Sequence, residues 1–138
     1  MKFDLEALAA PIAAQREEVI EAYKTLEAEW AVISAKLKKL AIPCKISICI
    51  DQYNPGDDDG LYLEWRRYKG EKQFCLTGFH REFERYGDDL NVRDIEDITP
   101  YSQWSAEQKL DNLHYVKKLL ECAPKQIERF VKRAKANG

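Results

Sequence analysis

The N-terminal part of the chain carries an apolar stripe with helical spacing. Between residues 19 and 40 the apolar side chains recur at alternating intervals of four and three: Val19, Tyr23, Leu26, Trp30, Ile33, Leu37 and Leu40. This is the heptad spacing of a helix that buries one face. Glutamates lie early in the segment and lysines late, which is the order that the helix dipole favours. The pattern predicts a helix over about residues 12–41, and Pro11 is expected to separate it from a short helical piece at residues 4–9.

The C-terminal part carries a second stripe of the same kind. Its apolar positions are again spaced by three and four: Leu113, Val116, Leu120, Ala123, Ile127, Phe130 and Ala134. Ser105 and Gln108 have the spacing of a capping box, so the predicted helix covers about residues 105–136. Because the apolar register continues beyond Pro124, we expect a kink near that residue and not a change of direction.

Each stripe needs a partner, because a long exposed apolar strip drives association. The two helices can cover one another as an antiparallel hairpin. That orientation places the glutamate-rich start of the first helix beside the lysine- and arginine-rich end of the second. The alternative is a seam between the parallel helices of a homodimer.

Between the helices the apolar period changes to two. Ile46 and Ile48 alternate with polar residues and indicate a strand over about residues 45–51. Residues 61–69 and 72–79 alternate in the same way. They predict a hairpin with a type II′ turn that begins at Gly70, and this turn would pair Trp65 with Leu76.

The predicted hairpin has two different faces. The face assigned to the core is apolar: Leu61, Leu63, Trp65, Phe74 and Leu76. The outer face carries aromatic and polar residues: Tyr62, Glu64, Arg66, Tyr68, Gln73, Cys75, Thr77 and Phe79. The predicted fold class is therefore α+β, with two long heptad-patterned helices that form an antiparallel hairpin and a small three- to four-stranded antiparallel sheet inserted between them.

Two acidic segments flank the predicted hairpin. Residues 51–59 have the composition of a turn, and they lack the ligand spacing and the final glutamate of an EF-hand calcium loop. Residues 87–103 are rich in aspartate and are predicted to be a partly ordered surface loop, although the segment just before them can extend the sheet. Both are interpreted as solvated connections, with a role as contact surfaces as the alternative.

Composition narrows the class of protein without identifying it. The 138 residues are 45% hydrophobic and 33% charged, which is typical of one globular domain over residues 1–138. The net charge of −2 provides no global basic field for nucleic acid. The N-terminus lacks the pattern of a signal peptide, and no segment has the ~20 apolar residues of a membrane span. We therefore expect a cytoplasmic protein that does not bind membranes.

The reactive residues of the chain do not form a recognisable catalytic motif. The cysteines are expected to be free thiols: Cys44, Cys49, Cys75 and Cys122. They lack the paired spacing of a zinc site, and we expect neither a metal nor a cofactor. Cys75 and His80 can be drawn as a nucleophile–base pair, but strand alternation places them on opposite faces. The sequence therefore favours a protein that is not an enzyme.

The outer face of the hairpin is the candidate binding surface. Tyr62, Arg66, Tyr68 and Phe79 lie on it, and aromatic rings with arginine are typical anchors of protein interfaces. We expect a small protein-binding module of inhibitor, regulatory or adaptor type, from a bacterium or its phage, with another protein or a second copy as its partner. The first alternative is single-stranded nucleic-acid binding through the same side chains, although the mixed charge of this stretch makes it a poor groove for binding phosphates. An enzyme that uses a Cys/His pair is the second alternative.

Overall fold

Two helices precede a four-stranded sheet, and a third helix follows it. The computed structural model describes residues 1–137. In chain order the elements are α1 (Leu5–Ala14), α2 (Arg16–Leu40), β1 (Ile46–Gln52), β2 (Gly60–Tyr68), β3 (Glu71–Tyr86), β4 (Asp89–Pro100), a 3-10 turn (Tyr101–Gln103) and α3 (Ala106–Asn137). The strands follow one another in an antiparallel sheet of order β1-β2-β3-β4. The predicted α+β class and the small antiparallel sheet are confirmed. Within residues 1–137, every helix falls short of the length or apolar character that crossing a bilayer demands.

The helix ends show which local signals the chain follows. At the start of α3, Ser105 N–H donates to Gln108 Oε1 at 2.8 Å and Gln108 N–H donates to Ser105 Oγ at 3.1 Å, so the capping box is confirmed. Helix α3 continues through Pro124. The predicted break at Pro11 is wrong, because α1 contains that proline and the interruption lies at Gln15. There the chain tightens, and Gln15 N–H donates to the carbonyl of Ile12 at 3.1 Å.

The turn between β2 and β3 differs from the predicted one. It consists of Lys69 and Gly70, both with positive φ (51° and 82°), as a type I′ turn requires. The type II′ turn predicted one residue further along is wrong, and Trp65 pairs with Phe74 instead of Leu76. Because the pairing shifts by two residues and side chains alternate with a period of two, the predicted core face and outer face are unchanged.

The acidic segment predicted as a loop is largely strand β4. Strand β3 runs far beyond its predicted end, and a turn at Gly87–Asp88, where Gly87 has a φ of 61°, leads into β4. The two strands pair through charged side chains as well as backbone: Arg81 Nε lies 2.8 Å from Asp94 Oδ1. A strand held in this way shows little apolar alternation, so the prediction of a loop over residues 87–103 was wrong for this part.

The core lies between the inner face of the sheet and the helices. Trp30 of α2 is 1% exposed, and its ring contacts the rings of Phe74, Tyr101 and Trp104 at centroid distances of 5.0, 5.7 and 5.3 Å. The other buried apolar side chains are Leu37, Ile42, Ile46, Ile48, Leu63, Trp65, Leu76, Val116, Leu119 and Ala123. Trp30 therefore connects α2 to the sheet and to the segment that leads into α3.

Helices α2 and α3 run parallel, so the predicted antiparallel hairpin is wrong. Glu27, in the first half of α2, lies 2.6 Å from Lys109 near the start of α3. Leu37, near the end of α2, shares an apolar recess with Ala123 in the second half of α3. Each helix buries only part of its predicted stripe. Trp30 and Leu37 of α2 and Val116 and Ala123 of α3 are buried against the sheet and the aromatic turn, whereas the rest of each stripe is partly or largely exposed. Helix α3 packs mostly on β1. These buried contacts determine the orientation, because exposed ion pairs between helix ends contribute little.

Helix α3 also covers the free edge of β1. The side-chain amide of Gln126 accepts from Ser47 N–H at 2.8 Å and donates to the Ser47 carbonyl at 2.7 Å. The glutamine thus replaces a neighbouring strand at this position. An edge strand with satisfied backbone groups is a poorer template for pairing with another chain.

A polar cluster joins the first half of α2 to the start of α3. Lys109 Nζ donates to Glu27 Oε1 at 2.6 Å and to the Tyr23 hydroxyl at 2.8 Å, and the Tyr101 hydroxyl donates to Glu27 Oε2 at 2.7 Å. The bonds from Lys109, Tyr23 and Tyr101 outweigh partial burial and lower the pKa of Glu27 to about 2. Burial opposes the charge of Lys109, but its bonds to Glu27 and Tyr23 raise its pKa above the ordinary value. The cluster therefore stays ionised over the physiological range.

The lowered pKa of Glu27 predicts acid sensitivity. Above pH 5 the carboxyl is ionised in both the folded and the unfolded chain, so its stabilisation is complete. As the pH falls from about 5 towards 2 the unfolded state takes up the proton first, and this stabilisation is lost. The side chain is 34% exposed, so solvent screening reduces the loss to about 1 to 2 kcal/mol. Urea unfolding at several pH values checks this: Glu27→Gln should flatten the acid limb, and Glu29→Gln, an exposed neighbour, should leave it unchanged. If the free energy of unfolding of Glu27→Gln fell with acid as steeply as that of wild type, Glu27 would not be the source of the acid sensitivity.

Candidate functional site on the outer face of the sheet

A recess of about 200 Å³ lies on the face of the sheet opposite the core. Its lining residues are Lys45, Ser47, Asp58, Tyr62, Glu64, Thr77, Phe79 and Glu96. They come from four strands and the connections beside them. Within residues 1–137 no helix contributes to this lining, so the recess opens on a surface that α1, α2 and α3 leave uncovered.

Glu64 forms the polar floor of the recess. Its side chain is 4% exposed, and Oε1 accepts from Arg66 Nη1 at 3.0 Å and from the Thr77 hydroxyl at 2.7 Å. Lys45 Nζ lies 3.5 Å from the other carboxylate oxygen, and Arg66 Nη1 lies 3.5 Å from Glu96 Oε2. A buried carboxylate is costly unless it is paired and hydrogen-bonded. The network satisfies this requirement and holds the charges around the recess in place.

Tyr62 and Phe79, two of the predicted binding residues, lie at the recess. The Tyr62 hydroxyl donates to the carbonyl of Asp58 at 2.6 Å, which orients its ring beside the opening. Burial and the nearby Cys49 and Asp58 raise the pKa of Tyr62, so the hydroxyl keeps its proton. The guanidinium of Arg81 lies 5.6 Å from the centroid of the Phe79 ring. Both aromatic side chains are half-buried and line the recess.

Arg66 and Tyr68, the other two predicted residues, are placed differently. The Arg66 side chain is 18% exposed and its guanidinium is engaged by Glu64 and Glu96. Tyr68 lies at the hairpin tip opposite Glu71, with Lys69 Nζ 5.5 Å from its ring centroid. The predicted set therefore divides into two residues at the recess, one in the network below it and one at the tip of the hairpin.

Six of the eight recess residues are absent from the predicted binding residues. Glu64 and Thr77 belong to the predicted outer face and Asp58 to the predicted acidic turn, which leaves Lys45, Ser47 and Glu96. Lys45 and Ser47 alternate with the buried isoleucines of β1, so the period of two already placed them on the outer side. Glu96 comes from β4, which the apolar pattern did not indicate as a strand. The sequence therefore contained a signal for the first two residues and none for the third.

Cys75 and His80 do not come together as a nucleophile and base. They are five residues apart on β3, and Cys75 is fully buried with its pKa raised by burial to about 11. His80 Nδ1 lies instead 2.7 Å from Asp59 Oδ2. Although burial opposes ionisation, the bonds from His80 and from Arg81 N–H hold the pKa of Asp59 below its ordinary value. Among residues 1–137, no three His, Cys, Asp or Glu side chains converge in a way that could hold a metal ion.

Comparison with known proteins adds no relative. No protein-family model, no curated protein and no solved structure matches this chain. Any functional conclusion therefore depends on the geometry and chemistry of the recess.

Proposed function

We propose that this protein is a binding module that recognises another protein through the outer face of its sheet, with a basic side chain of the partner entering the recess. The observation that carries the proposal is the lining of the recess. Three carboxylates, from Asp58, Glu64 and Glu96, line the recess, and the cationic groups beside them are those of Lys45 and Arg66, which leaves a net charge of −1. A cationic side chain in this position would meet an excess of negative charge that the protein already holds in place.

The aromatic walls favour the same type of ligand. Tyr62 and Phe79 flank the opening, and a lysine or arginine that inserts between aromatic faces gains about 0.5 to 2 kcal/mol from each cation–π contact. Rings that are already held in the free protein lose little conformational entropy on binding. Arg66 contributes indirectly, because its bond to Glu64 keeps the floor of the recess ordered. Tyr68 would extend the contact surface towards the hairpin tip.

The alternatives find less support in the same geometry. A phosphate backbone would approach carboxylates at the recess, which is unfavourable for single-stranded nucleic acid. For the enzyme alternative, a fully buried thiol with a raised pKa is a poor nucleophile, and His80 is engaged by Asp59. An inhibitor, regulatory or adaptor role is compatible with a module that presents one binding face.

Substitution of the aromatic walls tests the proposal. The full chain is titrated against arrays of short peptides that are basic, acidic or neutral, and the tightest basic peptide is used for fluorescence anisotropy. Tyr62→Ala and Phe79→Ala should each weaken its binding about 10-fold or more, because truncating an interface anchor costs about 2 kcal/mol. Tyr53→Ala serves as the matched control, since Tyr53 is 53% exposed in the β1–β2 loop and does not line the recess.

Two results would contradict the proposal. One is binding of acidic peptides or single-stranded oligonucleotides in preference to basic peptides, with affinity that falls steeply as salt is raised. The other is equal binding of the basic peptide by wild type, Tyr62→Ala and Phe79→Ala, which would place the binding surface elsewhere on the molecule.

A further inference from the structure

The N-terminal arm, residues 3–25, extends beyond the packed part of the molecule. Every residue in it is exposed except Ala9, which is half-buried. Helix α1 ends at Ala14 and α2 begins at Arg16, and the bond from Val19 N–H to the Gln15 carbonyl (3.0 Å) keeps the two nearly continuous. At 1.5 Å per residue the helical part of the arm is ~30 Å long. Tyr23, whose hydroxyl accepts from Lys109, lies at its base. Most helical stability in proteins comes from the packing of an apolar face, and along α1 that packing is missing in a single copy of the chain.

The composition of α1, the first half of the arm, is that of a buried helix. Helix α1 has the sequence LEALAAPIAA, in which Glu6 is the sole charged residue, yet none of its side chains is buried. Leu8, Ile12 and Val19 are 59%, 71% and 63% exposed. Helices that are apolar all round are normally enclosed by other protein or by lipid. The arm therefore has an apolar surface that this copy of the chain leaves uncovered.

An apolar recess lies at the base of the same arm. It has a volume of about 290 Å³ and opens between the first half of α2 and the start of α3. Its apolar lining comprises Val19, Ala22, Tyr23, Leu26, Ala106 and Leu110. The apolar stripe of α2 is buried at Trp30 and Leu37. Towards the N-terminus the same stripe runs through the recess into the arm, where this copy of the chain does not cover it.

We infer that the arm packs antiparallel against the arm of a second copy, so that α1 of each copy fills the apolar recess of the other. The donor surface on α1 and the part of the recess contributed by α2 lie about ten residues apart on two nearly continuous helices. An antiparallel pair that crosses near Gln15 and Arg16 places α1 opposite residues 17–26 of its partner and covers both at once. A two-fold pairing of this kind is isologous and closes as a dimer.

The charges of the arm agree with this orientation. Close to the crossing point, Arg16 of one copy would lie beside Glu17 and Glu18 of the other, and the reverse pair forms by symmetry. A parallel pair would instead place α1 on α1 and leave both recesses open. A second copy of the chain is therefore the partner that fits the recess, because it supplies both the apolar helix α1 and the complementary charges.

Sedimentation equilibrium on the full chain tests the inference. The expected mass is twice the 16.1 kDa of the monomer. Leu8→Glu with Ile12→Glu should raise the dimer dissociation constant by about 100-fold or more, because two charges would enter an apolar contact. Val32→Glu is the matched control: Val32 is 70% exposed on the same α2 but lies outside the arm, and this variant should remain a dimer. A monomeric wild type, or a dimer that the double variant leaves intact, would overturn the inference.

Cysteine cross-linking tests the antiparallel orientation. Cys44, Cys49 and Cys122 are first replaced by serine, and buried Cys75 is retained. Chains with Ala9→Cys are mixed with chains with Ala22→Cys and oxidised, and the mixed disulfide should form in preference to the Ala9→Cys homodimer. Predominance of the disulfide between two Ala9→Cys chains would indicate parallel packing and overturn the inference. The arm and the outer face of the sheet are separate surfaces, so neither outcome depends on peptide binding at Tyr62 and Phe79.

Discussion

Replacement of Trp30 by alanine is expected to lower the free energy of unfolding by about 3 to 5 kcal/mol. Trp30 is 1% exposed and contacts the rings of Phe74, Tyr101 and Trp104. Its removal would leave a cavity where α2, the sheet and the turn before α3 meet. It would also remove the bond from the indole N–H to the carbonyl of Lys109, and a hydrogen bond of this kind contributes about 1 kcal/mol. Urea unfolding followed by circular dichroism, at one protein concentration, measures the change.

Two further variants make the Trp30 prediction decisive. Trp30→Phe keeps a ring but removes the indole donor, so it should be destabilised by a smaller amount, about 1 to 3 kcal/mol, and it remains measurable if Trp30→Ala does not fold. Val32→Ala changes an exposed residue two positions away and should stay within about 0.5 kcal/mol of wild type. A Trp30→Phe variant as stable as wild type would show that the indole bond to Lys109 does not contribute. A folded Trp30→Ala variant as stable as wild type would show that the aromatic cluster does not hold the helices to the sheet.

Replacement of Lys109 by methionine is expected to lower the free energy of unfolding by about 2 to 3 kcal/mol. Lys109 is 7% exposed, and its ammonium group pairs with Glu27 and donates to Tyr23. Breaking a buried pair leaves the other charge without its partner, which is strongly destabilising. Here the loss is moderated, because Glu27 keeps the bond from Tyr101 and is partly exposed to water. Urea unfolding at neutral pH gives the value.

The control for this prediction lies on the same helix. Lys118→Met changes an exposed lysine of α3 and should shift the free energy of unfolding by less than about 0.5 kcal/mol. The double variant Glu27→Gln with Lys109→Met should be less destabilised than the sum of the single variants, because the two side chains act as a pair. Additive effects in this cycle would mean that the pair does not couple α2 to α3.

Local patterns were sufficient to predict most elements. The heptad stripes indicated α2 and α3, and the spacing of Ser105 and Gln108 predicted the start of α3. The period of two assigned the core and outer faces of β2 and β3 correctly, even though the turn at Lys69 and Gly70 was misplaced. A shift of two residues leaves every side chain on its own face, so this error had no effect on the candidate site.

The candidate site was predicted only in part. Tyr62 and Phe79 lie at the recess as their alternation indicated, but Arg66 is engaged by Glu64 and Glu96 instead of being free to bind. Glu96 could not be anticipated, since β4 is stabilised by pairing with β3 and by cross-strand charges more than by an apolar period. The position of β4 depends on residues that are distant in sequence.

The sequence by itself determined α2, α3 and strands β1 to β3, and which side chains of β2 and β3 face the core, because these properties depend on spacing over a few residues. Only the tertiary structure decided that α2 and α3 run parallel, that the acidic segment joins the sheet as β4, and that Glu64 and Glu96 meet at the recess. Those arrangements depend on how large buried side chains, such as that of Trp30, pack against residues that are distant in sequence. The contacts of such side chains outweigh the exposed charge pairs that favoured a different orientation.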